Sequence, residues 1–363
     1  MKLLIQPGEG IAPLVTGIAK AKKSIEIVIF RFDRTELEKA LGDAVKRGVA
    51  VHALIAFTNR GGDKKLRELE TRLLAKGITV ARTDDDLVRY HGKMMIVDRK
   101  ELYLLAFNFT YLDIDRSRSF GIITKNRTLV QEAIKLFECD TKRRTYAGSC
   151  AKFLVSPVNA RKQLGAFLKG AKKELFIYDL QVSDPSMIKT LEERAKSGVS
   201  IRIIGGAARA LRQADVRKLQ RLRLHARVII RDRKQVFLGS QSLRKLELDE
   251  RREIGIIFRD MKIANSLIKC FESDWTGSKS KLENVKPRKA AKKVARAVVR
   301  GLDPVAPVVE KVVREMVGHA GQVDLDHRKV QETVEDVVEE AVKTAVKNVV
   351  ENAVNGKSSN KTK

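Results

Sequence analysis

The chain has 363 residues, 43% of them hydrophobic and 5% aromatic, so it is long enough for two or three domains with mainly aliphatic cores. Lys and Arg outnumber Asp and Glu by 73 to 45, a formal charge of +28 that favours nucleic acid, anionic lipid surfaces or phosphate-bearing substrates as partners. Three widely spaced cysteines, a short N-terminal apolar stretch and the lack of ~18 consecutive apolar residues argue against a disulfide framework, a signal peptide and a transmembrane helix. We expect a protein of the cytoplasm or of the inner face of a membrane.

The first predicted elements occupy residues 19–56. They comprise the end of a helix, the apolar strand "IEIVIF", a second helix, a turn at Gly48 and a second strand. A nearly continuous β-branched strand is typical of one that is covered on both faces. The order strand, helix, strand predicts a right-handed parallel unit. Residues 57–86 follow, with a predicted helix between loops at "RGG" and "TDDD".

The next segment, "RYHGKMMIVDRKELYLLAFNFT", carries three candidate functional residues, His91, Lys93 and Asp98. Residues i and i+2 of a strand point to the same face, so we expect His91 and Lys93 to share one. The apolar "MMIV" would anchor that strand in the core, and Asp98 falls in a predicted turn at "DRK".

The second half of the chain repeats the first. Residues 169–206 align with 19–56 without gaps at an offset of 150, and the later segments align at an offset of 134. The candidate residues recur as His225, Arg227 and Asp232. Polar residues at the edge of a strand could produce one such motif by chance. Two motifs at equivalent places of a duplication argue against that interpretation. We therefore predict two repeats, 1–147 and 148–283, related by a pseudo-twofold axis that brings both histidines to one cleft.

Residues 284–363 differ in character from the body. A basic, Ala/Val-rich stretch, "KPRKAAKKVARAVVR", precedes Pro304 and Pro307, and valines then recur at helical spacing. This pattern predicts amphipathic helices. Packing on the body, self-association, a membrane-surface role for the first basic helix and partial disorder all remain open.

Two imidazoles, two cations and two carboxylates around one point suit an anionic phosphodiester. The cations would hold the non-bridging oxygens and stabilise the transition state. One imidazole would attack phosphorus, and the other would protonate the leaving oxygen and then activate water or an alcohol. Asp98 and Asp232 would orient the imidazoles and tune their pKa values. The sequence has no convincing metal cluster, and we expect no cofactor.

The two H-x-(K/R)-x4-D motifs, with "GSQS" at 239–242, resemble those of the phospholipase D superfamily over about residues 1–280. The resemblance implies an α/β fold and the activity of a phospholipase D, a cardiolipin or phosphatidylserine synthase, or a nuclease. It also implies that His91 is the nucleophile and His225 the general acid and base. The residues expected to support phosphate binding are Asn108, Ser240, Ser242 and Glu253.

This sequence departs from the family pattern at several positions. The usual G-S-x-N reads "LAFN" in the first half, which keeps only Asn108, and "GSQS" in the second, where Ser242 replaces Asn. Arg227 stands where Lys is usual, and a planar guanidinium binds phosphate differently from a point charge. Glu253 supplies the carboxylate that often follows the motif, while the first half has Ser119 there. The leading hypothesis is phosphatidyl hydrolysis or transfer; the alternatives are a metal-independent nuclease and a weakly active or inactive phosphate-binding protein.

Overall fold

The computed structural model describes residues 1–58 and 63–280. The first half contains β1 (Lys2–Gln6), α1 (Ala12–Lys20), β2 (Ser24–Ile29), α2 (Thr35–Lys46), β3 (Ala50–Ile55), α3 (Asp63–Leu74), β4 (Thr79–Arg82), β5 (Arg89–Tyr90), β6 (Met94–Val97), β7 (Glu101–Leu105), α4 (Tyr111–Asp115), β8 (Ser117–Thr124) and α5 (Arg127–Thr141). The second half contains β9 (Phe153–Val155), α6 (Ala160–Lys169), β10 (Glu174–Val182), α7 (Pro185–Lys196), β11 (Ser200–Ala207), β12 (Asp215–Lys218), β13 (Arg223–Leu224), β14 (Val228–Arg231), β15 (Gln235–Gly239), α8 (Lys245–Asp249), β16 (Arg251–Arg252), β17 (Ile254–Arg259), α9 (Met261–Thr276) and β18 (Lys279–Ser280). The predicted tail helices lie outside the described residues.

Each half builds one mixed sheet. The first has the order β1-β8-β7-β6-β2-β3-β4 and the second β18-β12-β11-β10-β14-β15-β17-β9. The predicted parallel units are confirmed, because β2 pairs parallel with β3 and β10 parallel with β11. The predicted helix of the insertion is α3, whereas the second half passes from β11 to β12 without one. The predicted α/β fold with two repeats is therefore confirmed, while the boundary near residue 147 stays a prediction.

The apolar residues form three clusters. Two outer clusters fill the space between one sheet and its covering helices, α1 to α3 in the first half and α6 and α7 in the second. The central cluster joins residues of both sheets with α5 and α9, and in it the Phe120 and Tyr178 rings lie 5.2 Å apart. The two halves thus share a core, and truncation of a fully buried ring such as Phe271 would cost about 3–5 kcal/mol. No described helix is long and apolar enough to cross a bilayer.

Reciprocal contacts join the two halves. Strand β5 pairs parallel with β16, and the equivalent β13 pairs parallel with β8. The His91 N–H donates to the Arg252 carbonyl (2.8 Å), and the His225 N–H donates to the Arg118 carbonyl (3.0 Å). Each contact has a counterpart with the halves exchanged, as a pseudo-twofold axis requires. The backbone of each histidine is therefore fixed by the opposite half.

Candidate active site

The two histidine segments connect strands and do not belong to them. Residues 91–93 lie between β5 and β6, and residues 225–227 lie between β13 and β14. The prediction that His91 and Lys93 lie on one face of a strand is therefore wrong, because neither residue belongs to a strand. The physical reason is that the chain changes partners here, from pairing across the two halves to pairing within its own sheet. The Leu105 N–H donates to the Lys93 carbonyl (3.0 Å) and fixes that residue against the end of β7.

His91 is oriented by Glu253 from the second half. Its Nδ1 lies 2.9 Å from Glu253 Oε2, and the Glu253 side chain is fully buried. A carboxylate only accepts hydrogen bonds, so Nδ1 carries the proton and the Nε2 lone pair is directed to the other side of the ring. The Phe30 ring meets the imidazole edge-on at 4.5 Å between centroids. Burial raises the pKa of Glu253, although Lys93 and Arg227 oppose that rise.

His225 has a different carboxylate neighbour, Asp113 of the first half, whose Oδ2 lies 3.3 Å from its Nδ1. This approach is not a hydrogen bond, because His225 Nδ1 has no hydrogen-bond partner among the described residues. Asp113 accepts hydrogen bonds from the Asn108 backbone N–H (2.9 Å), from Asn108 Nδ2 (2.7 Å) and from Arg223 Nη1 (2.7 Å). Although burial opposes the shift, His225 and these donors lower the pKa of Asp113. Asp113 has no place in the predicted site, but one signal points to it, since Glu247 stands at the equivalent position 134 residues later.

The two cations are buried beside the histidines and under-satisfied. Lys93 is 0% exposed, and among the described residues its Nζ has no hydrogen-bond partner. Arg227 is 5% exposed; its Nε donates to Ser242 Oγ at 3.3 Å, while its Nη1 has no partner within the described parts of the chain. Buried cationic donors without acceptors are costly, so the oxygens of an anion are their natural ligands.

Burial and the neighbouring cations lower the pKa values of three groups in the site. Burial lowers the pKa of Lys93 to about 7. Burial, Lys93 and Arg227 together hold the pKa of His91 well below its usual 6.5, and burial and Arg227 do the same for His225. Both imidazoles are therefore neutral at pH 7 before an anion binds. A bound phosphodiester would offset the repulsion from the two cations and raise these pKa values.

The motif carboxylates do not orient the histidines, which corrects the expectation for them. Asp98 accepts hydrogen bonds from the backbone N–H groups of residues 22–24 at 2.6–3.1 Å, and Asp232 from those of 172–174 at 2.7–3.2 Å. Both lie in turns with positive φ, at the strand ends remote from the histidines. The donor residues of the two sets are 150 positions apart and the two acceptors 134 positions apart. These are the two offsets of the repeat, so the second half contains the same hydrogen-bonded turn as the first.

The remaining predicted residues lie around the histidine pair. Ser242 Oγ accepts from Arg227, and Asn108 Nδ2 donates to the carboxylate beside His225. Ser240 Oγ accepts from the Ile254 N–H (3.1 Å) and donates to the Ile254 carbonyl (3.3 Å), next to Glu253 in the chain. Their contact with a phosphate stays a prediction.

The fold defines a two-repeat α/β protein whose histidine segments each contact the opposite repeat. The family model described as "Cardiolipin synthase, PLD-like domain" matches residues 14–141 and 164–275, and the chain belongs to this family of the phospholipase D superfamily. A mitochondrial cardiolipin hydrolase from Danio rerio is 30% identical over 129 residues, which cover 34% of this chain and 56% of that protein. The chain thus spans about half the length of the cardiolipin hydrolases that it matches.

Two solved structures share the fold. Polyphosphate kinase from Porphyromonas gingivalis superimposes with a TM-score of 0.63 at 18% identity, over 75% of this chain and 46% of that one. Phosphatidylserine synthase from Haemophilus influenzae superimposes with a TM-score of 0.61 at 12% identity, over 83% of this chain and 94% of that one. At these identities the likeness concerns the architecture alone.

Proposed function

We propose that the chain is a phospholipase D-type phosphodiesterase that hydrolyses or transfers the phosphatidyl group of glycerophospholipids at the inner face of a membrane. The observation that carries the proposal is the buried cluster in which Glu253 holds His91 at 2.9 Å, while Lys93 Nζ and Arg227 Nη1 have no acceptor among the described residues. The cardiolipin hydrolase relatives favour a phospholipid among phosphodiesters.

In the first step, His91 Nε2 attacks phosphorus, and the bond from phosphorus to the leaving alcohol oxygen breaks. His225 gives its proton to that oxygen, and the headgroup alcohol departs. The phosphoryl-imidazole keeps its Nδ1 proton and is cationic, so the ionised Glu253 stabilises it. Lys93 and Arg227 bind the non-bridging oxygens and offset the charge that develops on them.

In the second step, His225 takes a proton from water or from an acceptor alcohol, whose oxygen attacks phosphorus. The bond from phosphorus to His91 breaks, which restores neutral His91 and protonated His225. Water gives phosphatidic acid and an alcohol gives a new phosphatidyl ester, so the same residues serve hydrolysis and transfer.

The test is turnover in EDTA on labelled phosphatidylcholine and phosphatidylglycerol vesicles and on a labelled DNA oligonucleotide, with and without glycerol. His91→Ala should abolish lipid turnover, while the matched control His52→Ala, an exposed histidine of β3, should leave it unchanged. DNA cleavage that is lost in His91→Ala would instead support the nuclease. Silence on every substrate, with phosphate binding retained, would support the inactive phosphate-binding protein.

A second measurement isolates the covalent step. A p-nitrophenyl phosphodiester has a good leaving group and needs little acid catalysis, so His225→Ala should release about one equivalent of nitrophenol and then stall. Mass spectrometry should find the phosphoryl group on the peptide that contains His91. Steady turnover without an adduct would refute the two-step route.

A further inference from the structure

The short helices α4 and α8 occupy equivalent places beside the site. Helix α4 follows β7, whose last residue, Leu105, donates its N–H to the Lys93 backbone carbonyl. Helix α8 follows β15, whose last residue, Gly239, donates its N–H to the Arg227 backbone carbonyl. Each also turns a buried carboxylate inwards, and Asp113 of α4 is 2% exposed. The exposed residues of each helix therefore lie within one helical turn of a carboxylate that contacts the site.

The tip of α4 exposes large apolar side chains. Tyr111 is 50% and Leu112 47% exposed, in contrast to their inward neighbour Asp113. The guanidinium groups of Arg34 and Arg116 lie 6.0 and 5.6 Å from the Tyr111 ring centre, and Arg116 Nε donates to the Tyr111 hydroxyl at 3.1 Å. A tyrosine with its hydroxyl among cations, next to an exposed leucine, is the composition that a bilayer interface favours.

The tip of α8 is cationic at the same positions. Arg244 and Lys245 replace Thr110 and Tyr111 of the first half, 134 residues earlier. The Arg244 side chain is 39% exposed, and Lys245 is exposed. The apolar side chains of the α4 tip can insert into a bilayer, and the cations of the α8 tip can attract anionic headgroups. These two contributions together bind proteins to anionic bilayers.

We propose that the tips of α4 and α8, formed by Tyr111, Leu112, Arg244 and Lys245, are a docking surface for an anionic lipid bilayer. The surface rests on the proposed function for its substrate, because both helices also carry a carboxylate of the histidine site. An exposed leucine gains nothing from a nucleic-acid backbone, whereas it gains from the acyl region, so the pair of tips favours a membrane.

The link to catalysis is short. Leu112 immediately precedes Asp113, whose carboxylate lies 3.3 Å from His225. Glu247, on the same helix as Lys245, accepts from the Ser242 N–H (2.7 Å) and so supports the serine that binds Arg227. Docking at the tips would therefore hold the bilayer against the two helices that carry these carboxylates.

The test is co-sedimentation of the full chain with vesicles of phosphatidylcholine alone or mixed with phosphatidylglycerol. The double variant Tyr111→Ser/Leu112→Ser should weaken binding to mixed vesicles by about tenfold. Arg244→Gln/Lys245→Gln should remove most of the preference for phosphatidylglycerol. Leu74→Ser is the matched control, because Leu74 is equally exposed (52%) on α3, and it should change binding less than twofold.

Thermal melts of each variant establish that the fold is retained. Wild-type binding by tip variants, or wild-type protein that binds an oligonucleotide but no vesicle, would overturn the docking surface. Sedimentation requires no turnover, which separates the two proposals. Tip-dependent vesicle binding without lipid cleavage would support the surface and refute the substrate. Lipid cleavage with tip-independent binding would do the reverse.

Discussion

Glu253→Gln is the substitution that most directly tests the histidine centre. Glutamine has the same shape and can still accept a hydrogen bond from His91 Nδ1, which lies 2.9 Å from Oε2 in the wild type. What it removes is the negative charge. Since the imidazole becomes cationic only when its Nε2 is bonded to phosphorus, the loss should fall on the chemical step and not on substrate binding.

The structure sets the size of the effect. A hydrogen bond to a charged group contributes roughly 1.5–3 kcal/mol against about 1 for a neutral one, and the smallest difference, about 0.5 kcal/mol, gives a lower limit of about twofold in kcat. Two unit charges with centres about 4 Å apart interact by about 4 kcal/mol at an effective dielectric constant of 20, which gives an upper limit of about 1,000-fold. We therefore expect kcat to fall by a factor between about two and a thousand.

Stability should respond in the opposite sense. Burial raises the pKa of Glu253, so its ionisation costs stability at every pH above the unfolded value near 4.5. Wild-type stability thus rises as pH falls towards that value, and Glu253→Gln should remove this dependence without lowering the melting temperature at pH 7. The loss of the carboxylate should also lower the pKa of Lys93 below its present value of about 7.

The assay combines single-turnover kinetics on a monomeric phosphodiester with melting curves from pH 4 to 9. Reduced kcat in a variant at least as stable as the wild type would support the orienting role. A variant with unchanged kcat, or one that lost activity only through unfolding, would refute the reasoning.

Three further outcomes are expected. Asp98→Asn should lower the free energy of unfolding by about 1–3 kcal/mol, because the carboxylate clamps three backbone N–H groups, yet leave kcat within threefold; denaturant titration beside turnover checks this, and inactivity of the folded variant would restore an orienting role. Lys93→Arg should keep KM constant from pH 6 to pH 9, where the wild-type KM should rise as Lys93, with a pKa of about 7, loses its proton, and an equal rise in both proteins would assign it to another group. The kcat/KM profile, which reports the free enzyme, should be bell-shaped with both histidine limbs below pH 6.5, and a maximum above pH 7 would exclude the pair.

The duplication could be predicted from sequence because the two halves share the same local patterns of apolar strands, helices and turns. The strand-helix-strand unit and the turn at Asp98 each depend on neighbours within a short stretch, so equivalent stretches fold alike. The clamps of Asp98 and Asp232 are a different case, because each joins backbone groups distant along the chain, 74–76 residues away in the first half and 58–60 in the second, and their role could not be predicted from a short stretch. The histidine pair followed from the duplication, because a twofold axis places equivalent residues together.

The partner of each histidine could not be predicted in this way. Glu253 is 162 residues from His91, and no local period connects them. The contact exists because the strand segments of the two halves cross at the junction of β5 with β16, a pairing that depends on the assembled core. For the same reason the i, i+2 spacing wrongly predicted that His91 and Lys93 lie on one strand, because both residues follow the end of β5 at Tyr90.

The losses of sequence symmetry are consistent with a division of labour between the histidines. His91 keeps a well-aligned hydrogen bond to a fully buried carboxylate, as suits the residue that must remain cationic throughout a covalent intermediate. At the position equivalent to Glu253 the first half has Ser119, whose hydroxyl donates to the His225 backbone carbonyl (2.8 Å). His225 retains only the looser contact with Asp113 at 3.3 Å, and a proton carrier benefits from that looseness because it must be stable in both protonation states. The asymmetry therefore supports His91 as nucleophile and His225 as acid and base, independently of the family resemblance.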